Sequence, residues 1–135
     1  MCSTSDNANQ ALGEPRRFVI QRHQLPDGVH WDLMIEAGDV LWTWQLGRPP
    51  QALGRDPVPA VRIADHRKVY LTYEGPISGD RGTVRITERG TCRLLEITET
   101  LLRLEVQGRV LAGRFELRRT DPASDRWALV RTDPA

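Results

Sequence analysis

The sequence predicts an all-β fold, a small closed or nearly closed β-barrel of about eight or more short, mostly antiparallel strands. Three observations carry this expectation. From Phe18 onward, short runs rich in Val, Ile, Thr and aromatic residues are punctuated by turn residues roughly every 8–12 positions. Gly38-Asp39, Arg89-Gly90 and Gln107-Gly108 are hairpin-type connections between such runs. The segments Arg114–Arg118 and Arg126–Arg131 alternate, or nearly alternate, between apolar and polar residues, the two-residue period of a half-buried strand.

Taken in order, the first strands cover 18–24 and 29–37. Between them Leu25-Pro26-Asp27-Gly28 is a β-turn sequence, with Pro presetting φ at its second position and Gly suited to the fourth. Gly38-Asp39 leads into a third strand over 40–46, where Trp42 and Trp44 share a face and read as core aromatics. The loop 47–59 holds Pro49, Pro50, Pro57 and Pro59 and is expected to run irregularly over the surface. Further strands are expected over 60–64, 69–73, 82–88, 91–97, 101–106, 109–118 and 126–132. The Thr, Cys and Ile content of 91–97 favours strand over helix. Gly79-Asp-Arg-Gly82 lacks the pattern of a phosphate loop and reads as a tight turn feeding a strand.

A chain of 135 residues is one domain with enough material for a core. Residues 1–15 are polar and lack the apolar stretch of a signal peptide, so a disordered arm is expected there, with a single domain over 16–135. The net charge of +1 excludes a global nucleic-acid-binding field, leaving only a local basic footprint. Lys68 is the only lysine. Cys2 and Cys92 make neither a disulfide framework nor a zinc motif, and a reducing cytoplasm fits them. No apolar run approaches the ~18 residues needed to cross a bilayer as a helix.

If residues 25 and 28 close the first turn, His23 lies opposite His30 and Gln21 opposite Asp32, all on one face. Ile20 with Leu33, Phe18 with Ile35, and Arg22 with Trp31 then occupy the other face. Opposed Cβ atoms sit ~4.5–5.5 Å apart and diagonal ones ~7–8 Å, so two imidazoles and a carboxylate can converge on one divalent cation. Open positions on such a cation point to catalysis or ligand binding. A non-haem iron oxygenase site is one reading of that ligand set. His66 and Tyr70, beside Arg67 and Lys68, offer donors for charge on phosphoryl oxygens, and Arg48 is a loop cation beyond the Trp42–Trp44 strand.

The segments Phe18-Val-Ile-Gln-Arg-His23, Val29-His-Trp-Asp-Leu-Met-Ile-Glu36 and Val40-Leu-Trp-Thr-Trp44 resemble the 3′-phosphoesterase domain of bacterial DNA ligase D. The likeness continues through Asp65-His66, Tyr70, Tyr73-Glu-Gly75, Gly79-Asp-Arg-Gly-Thr-Val84, Gly113–Leu117 and Arg126–Leu129, and covers essentially everything after residue 17. It implies a compact barrel that removes a 3′-phosphate or a terminal ribonucleotide from DNA ends in break repair. One divalent metal is implied, Mn²⁺ best, with Zn, Co or Fe as alternatives. His23, His30 and Asp32 fall on the metal-ligand positions, and His66, Tyr70 and Arg48 on phosphate-binding ones. Gln21 is expected in support. The implied partners are DNA 3′ ends (primer–template), with a separately encoded ligase or polymerase, no membrane, and the chain as a monomer acting in trans.

Two positions depart from that pattern. Where the family carries arginine two residues after the metal-binding aspartate, this chain has Met34; eight residues before the phosphate histidine it has Val58. Arg62 or Arg55 is expected to compensate, and an arginine at 34 is expected to reach the phosphate. Loss of one charged contact of this kind can cost ~10²–10³ in rate. A working esterase and a catalytically weakened nucleic-acid- or phosphate-binding module of the same fold are therefore both open.

Overall fold

The computed structural model describes residues 12–133. Its strands are β1 (Pro15–Leu25), β2 (Gly28–Ala37), β3 (Val40–Leu46), β4 (Val58–Arg67), β5 (Gly75–Pro76), β6 (Thr83–Ile97), β7 (Leu101–Gly108), β8 (Ala112–Arg119) and β9 (Arg126–Arg131). They pair antiparallel in the order β1-β2-β3-β4-β9-β8-β7-β6, and β6 pairs again with β1. An eight-stranded barrel closes in this way, with β5 added beside the first half of β6. Closure leaves the barrel strands without free edges, which would otherwise template association. Among the described residues no helix is long and apolar enough to cross a membrane.

The β1–β2 hairpin has the expected register, with Phe18↔Ile35, Ile20↔Leu33, Gln21↔Asp32, His23↔His30 and Leu25↔Gly28 paired. Phe18, Ile20, Leu33, Ile35, Trp44, Leu46, Phe115 and Trp127 belong to the large cluster inside the barrel. Val19, Met34, Leu41 and Leu71 form a second cluster, with Tyr70 and Ile86 packed against it. The outer face of β1–β2–β3 is therefore covered too, by the segment between β4 and β5. Trp31 is partly buried and Trp127 buried, each against the interior cluster. Burial pushes the Cys92 thiol up to about 12, which makes it an inert piece of the core.

Several elements differ from the sequence expectation. Residues 69–73 are not a strand: Lys68–Leu71 form a 3-10 turn that crosses the outside of the barrel. Arg89-Gly90 is no hairpin, because β6 runs unbroken through it. Gly90 is needed there for close approach, since a Cβ would meet the Gln107 carbonyl oxygen at 2.1 Å. The β7–β8 turn falls after Gly108, whose N–H donates to the Leu111 carbonyl, and Gln107 pairs with Ala112. Of the expected arm, residues 1–11 lie outside the described residues. Gly13 donates to the Leu94 carbonyl at 2.9 Å, and Pro15 already belongs to β1.

Glu88 explains how the β7–β8 turn is held. On β1, Ile20 pairs with Glu88 while the next residue, Gln21, pairs with Ile86, so Thr87 is an extra residue in β6. The Thr87 hydroxyl donates to the Ile20 carbonyl across this bulge. The bulge shifts the alternation and sends Glu88 to the inner side, where it is 1% exposed. Its Oε1 accepts the backbone N–H groups of Arg89 and Arg109 at 2.9 Å each. Its Oε2 accepts those of Val110 and Leu111 at 2.7 and 2.6 Å. Charge-assisted bonds to a buried carboxylate are about twice as strong as neutral ones, and their loss would orphan these donors. Glu88→Ala is expected to lower unfolding free energy by about 3 kcal/mol or more, with Glu88→Gln intermediate, measured by urea denaturation.

Candidate metal and phosphate site

The odd-numbered residues of β1 from Arg17 to His23 face outwards, as do the even-numbered residues of β2 from His30 to Glu36, because the inward positions are those of the barrel core. This places His23, His30 and Asp32 together. Ligating atoms of the three lie within 4.8 Å of one another. His23 Nδ1 stands 3.2 Å from His30 Nε2, and His30 Nε2 stands 3.1 Å from Asp32 Oδ1. The second carboxylate oxygen is 3.7 Å from His23 Nδ1.

The tautomer of His23 follows from its other nitrogen. His23 Nε2 lies 2.6 Å from the Arg81 carbonyl oxygen, which can only accept, so Nε2 carries the hydrogen. The neutral ring then turns the Nδ1 lone pair towards His30 and Asp32. Asp32 is 3% exposed, and its Oδ1 has no donor in hydrogen-bond geometry despite the short distance to His30. A lone pair and an orphaned carboxylate oxygen facing one point fit a divalent cation, which would satisfy both. The donor set, two imidazoles and one carboxylate, is compatible with such an ion.

A cleft of about 110 Å³ opens beside this triad, lined by Gln21, His23, Asp32, His66, Tyr70 and Arg81 among others. His66 reaches it through a second bulge. Leu41 pairs with His66 and Thr43 with Ile63, so β4 carries one residue more than β3 between these pairs. Without that residue His66 would point into the barrel with Arg62; with it, His66 shares the outer face. His66 Nδ1 lies 3.0 Å from the Ala64 carbonyl and so donates to it, leaving Nε2 free. Tyr70 stands edge-on to His66, ring centroids 5.7 Å apart.

The segment 68–77 that carries Tyr70 is fastened at several points. Gln21, 1% exposed, donates from one amide nitrogen to the Tyr70 and Tyr73 carbonyls at 2.9 and 2.8 Å. Glu36 holds Lys68 at 2.8 Å and Arg17 at 2.6 Å. Glu74 accepts the Ile86 N–H at 2.8 Å. Gln21 is thus a support of the cleft wall, one layer behind the reacting space.

Other residues fall elsewhere. Arg62 stands on the inner side of β4, its guanidinium 4.5 Å from the Trp44 ring centre and 5.8 Å from that of Trp42, away from the cleft. Arg55 donates to the Asp133 carbonyl. Arg48 is exposed in the bend after β3 and does not line the cleft. Met34 does share the outer face with Asp32, but it is 0% exposed beneath Leu71, and Val58 belongs to the barrel interior. The expectation that an arginine at 34 would reach the phosphate is revised: here it would bury a guanidinium in an apolar cluster.

Two residues were missed in the sequence. Gln45, paired with Asp32 across β2–β3, brings its amide nitrogen 3.4 Å from His30 Nε2. Arg81 lines the cleft, and its side chain is braced on the Ser78 carbonyl at 2.7 Å. A cation inside Gly79-Asp-Arg-Gly82 was the available signal. Gly82, with φ +81, lets this loop press on β1, where a Cβ would sit 1.9 Å from the Gln24 carbonyl oxygen.

Residues 21–119 match the family described as the DNA Ligase D 3'-phosphoesterase domain. Every cleft residue named above lies inside that match. No curated protein matches the chain.

Two predictions follow from the site. Mn²⁺ in large excess should raise the melting temperature by roughly 10 °C through binding linkage, and Asp32→Ala should abolish the rise. The second concerns Glu36. Hydrogen bonding to Arg17, with Lys68 adding to it, draws its carboxyl down from 4.5 to about 2 against the opposing effect of burial. A depressed folded value means stability present above about 4.5 and lost as pH falls towards about 2. Glu36→Gln should therefore be less stable than wild type near neutrality, with the gap closing over that acidic window in pH-dependent melting.

Proposed function

The chain belongs to the DNA ligase D 3′-phosphoesterase family, and from that premise we propose that it is a metal-dependent hydrolase of DNA 3′ ends. It removes a 3′-phosphate or a terminal 3′-ribonucleotide and leaves a 3′-hydroxyl for a polymerase or ligase in break repair. One observation carries this reading: His23 and Asp32 of a convergent His23–His30–Asp32 triad line a small cleft together with His66, Tyr70 and Arg81.

His23, His30 and Asp32 would hold the cation, with Mn²⁺ favoured among the divalent ions. A cation bound there supplies Lewis-acid polarisation of the phosphoryl group and acidifies water. The chain's own groups do the rest. The Arg81 carbonyl fixes the His23 tautomer, so Nδ1 remains a ligand rather than a donor. Gln45 restrains His30 from the neighbouring strand. His66, with Nδ1–H committed to Ala64, takes any second proton at Nε2, from which the imidazolium can donate to a phosphoryl or leaving oxygen. The Tyr70 hydroxyl and the remaining guanidinium N–H groups of Arg81 complete the donors on the phosphate side. Arg81 thereby stands in for the arginines replaced by Met34 and Val58. Gln21 sets the distance between the two walls through the Tyr70 and Tyr73 carbonyls.

A second reading has a specific observation behind it. With positions 34 and 58 sealed in apolar clusters, the phosphate half of the site is poorer in charge than the metal half, which suits a binding module of weakened catalysis. Incubating a 3′-phosphate primer–template, and one ending in a ribonucleotide, with Mn²⁺ and purified protein separates the two. Release of phosphate from the first substrate, and of nucleoside and then phosphate from the second, both lost in His30→Ala, is the expected result. His66→Ala should slow turnover by about 10² or more while preserving the Mn²⁺-dependent rise in melting temperature. Intact substrates in the presence of Mn²⁺, Zn²⁺, Co²⁺ or Fe²⁺ would establish the binding module instead.

A further inference from the structure

Arg17, Arg89 and Arg109 line a groove of about 390 Å³ together with Leu71, Thr72 and Thr91. The arginines of this barrel are of two kinds, and the groove holds both. Arg17, Arg62, Arg103, Arg114, Arg118 and Arg131 each have a carboxylate within ion-pair distance. The guanidinium groups of Arg89 and Arg109 have none among the described residues. The backbone at both positions is fixed, because both backbone N–H groups donate to Glu88 Oε1, buried beneath them. One carboxylate oxygen thus ties together the backbones of two exposed arginines, one on β6 and one in the turn between β7 and β8. Arg17, opposite Thr91 on β6, adds a third.

The groove also has a fixed relation to the cleft. Arg17 and His23 lie on the same outer face of β1, six residues apart, with the 3-10 turn over Val19 and Gln21 between them. At ~3.3 Å per residue this separation is ~20 Å. Each base pair of B-form duplex adds ~3.4 Å along the helix axis, so the groove is about six base pairs along the duplex from the cleft. Two unpaired guanidinium groups interleaved with threonine hydroxyls are phosphate-contacting groups with no sequence preference.

We propose that this groove carries the backbone of the duplex behind the 3′ end, about six nucleotides from the terminus, and so makes duplex length part of substrate choice. The inference rests on the phosphoesterase reading. The chain's net charge of +1 means such a local patch, not a global field, would hold the polyanion.

The test is anisotropy titration of fluorescent 3′-phosphate DNA hairpins, one with a stem of about twelve base pairs and one with about four, in EDTA to prevent turnover. Arg89→Gln/Arg109→Gln should weaken binding of the long stem about 10-fold or more and flatten its log-affinity against log-salt slope by about 2. The short stem, which ends before the groove, should bind the variant and the wild type alike. Arg89→Lys/Arg109→Lys, with charge retained, should recover most of the slope, and unchanged melting temperatures would show that the fold is kept. Wild-type affinity and slope in the Gln variant, with wild-type turnover of the DNA intact, would overturn the groove and leave the phosphoesterase reading standing. Equal losses on both stems would also overturn it, since the arginines would then act at the 3′ end itself. A wild-type protein that neither binds nor processes either hairpin would sink both.

Discussion

Everything in this protein depends on β1 being hydrogen-bonded along both edges, to β2 on one side and to β6 on the other. That double pairing closes the barrel and leaves the strand no freedom to slip. A slip of one residue would carry Phe18 and Ile20 out of the core and Gln21 and His23 into it. The outer face of the same strand therefore becomes a rigid platform. Arg17, Val19, Gln21 and His23 follow one another along it as ion pair, apolar support, amide clamp and candidate ligand. A site built on strands in this way is held more precisely than one built on loops.

The outside of a barrel is a wet place for a polar site, and the molecule solves this with the segment 68–77. Its Leu71 covers Met34 and Val19, while its backbone carbonyls accept from Gln21. Asp32 is consequently buried although it faces outwards. Removal from water strengthens the attraction between that carboxylate and any cation beside it. The same cover makes position 34 unsuitable for charge, so the apolar residue there agrees with its surroundings.

The convergence of His23, His30 and Asp32 was legible in the sequence because a Pro-Asp-Gly turn fixes register locally, and a two-residue period then determines every face. The barrel class was legible for the same reason. His66 and Tyr70 were also named from the sequence, but the route by which each reaches the cleft was not legible. His66 reaches the cleft through an extra residue in β4, and no local residue preference announces that bulge. Tyr70 sits in a 3-10 turn that strand periodicity mistook for β-structure, because its Val, Tyr and Leu are strand-formers serving as a lid on an apolar patch. Arg62 was drawn towards the site by its sequence position, yet its parity in β4 places it over tryptophan. Glu88 was invisible as a turn clamp, since its inward direction also comes from a bulge.

The bulge in β4 has an evolutionary consequence. Between Ile63 and His66 the strand holds one residue beyond what its pairing with β3 requires. Losing a single codon there would restore regular pairing and rotate His66 into the barrel, taking it from the cleft without change to any candidate site residue. Duplication of one codon in a plain ancestral strand would do the reverse. In this architecture the gain or loss of function lies as much in the reading-length of a strand as in the identity of its side chains. Substitution scanning alone would not detect that.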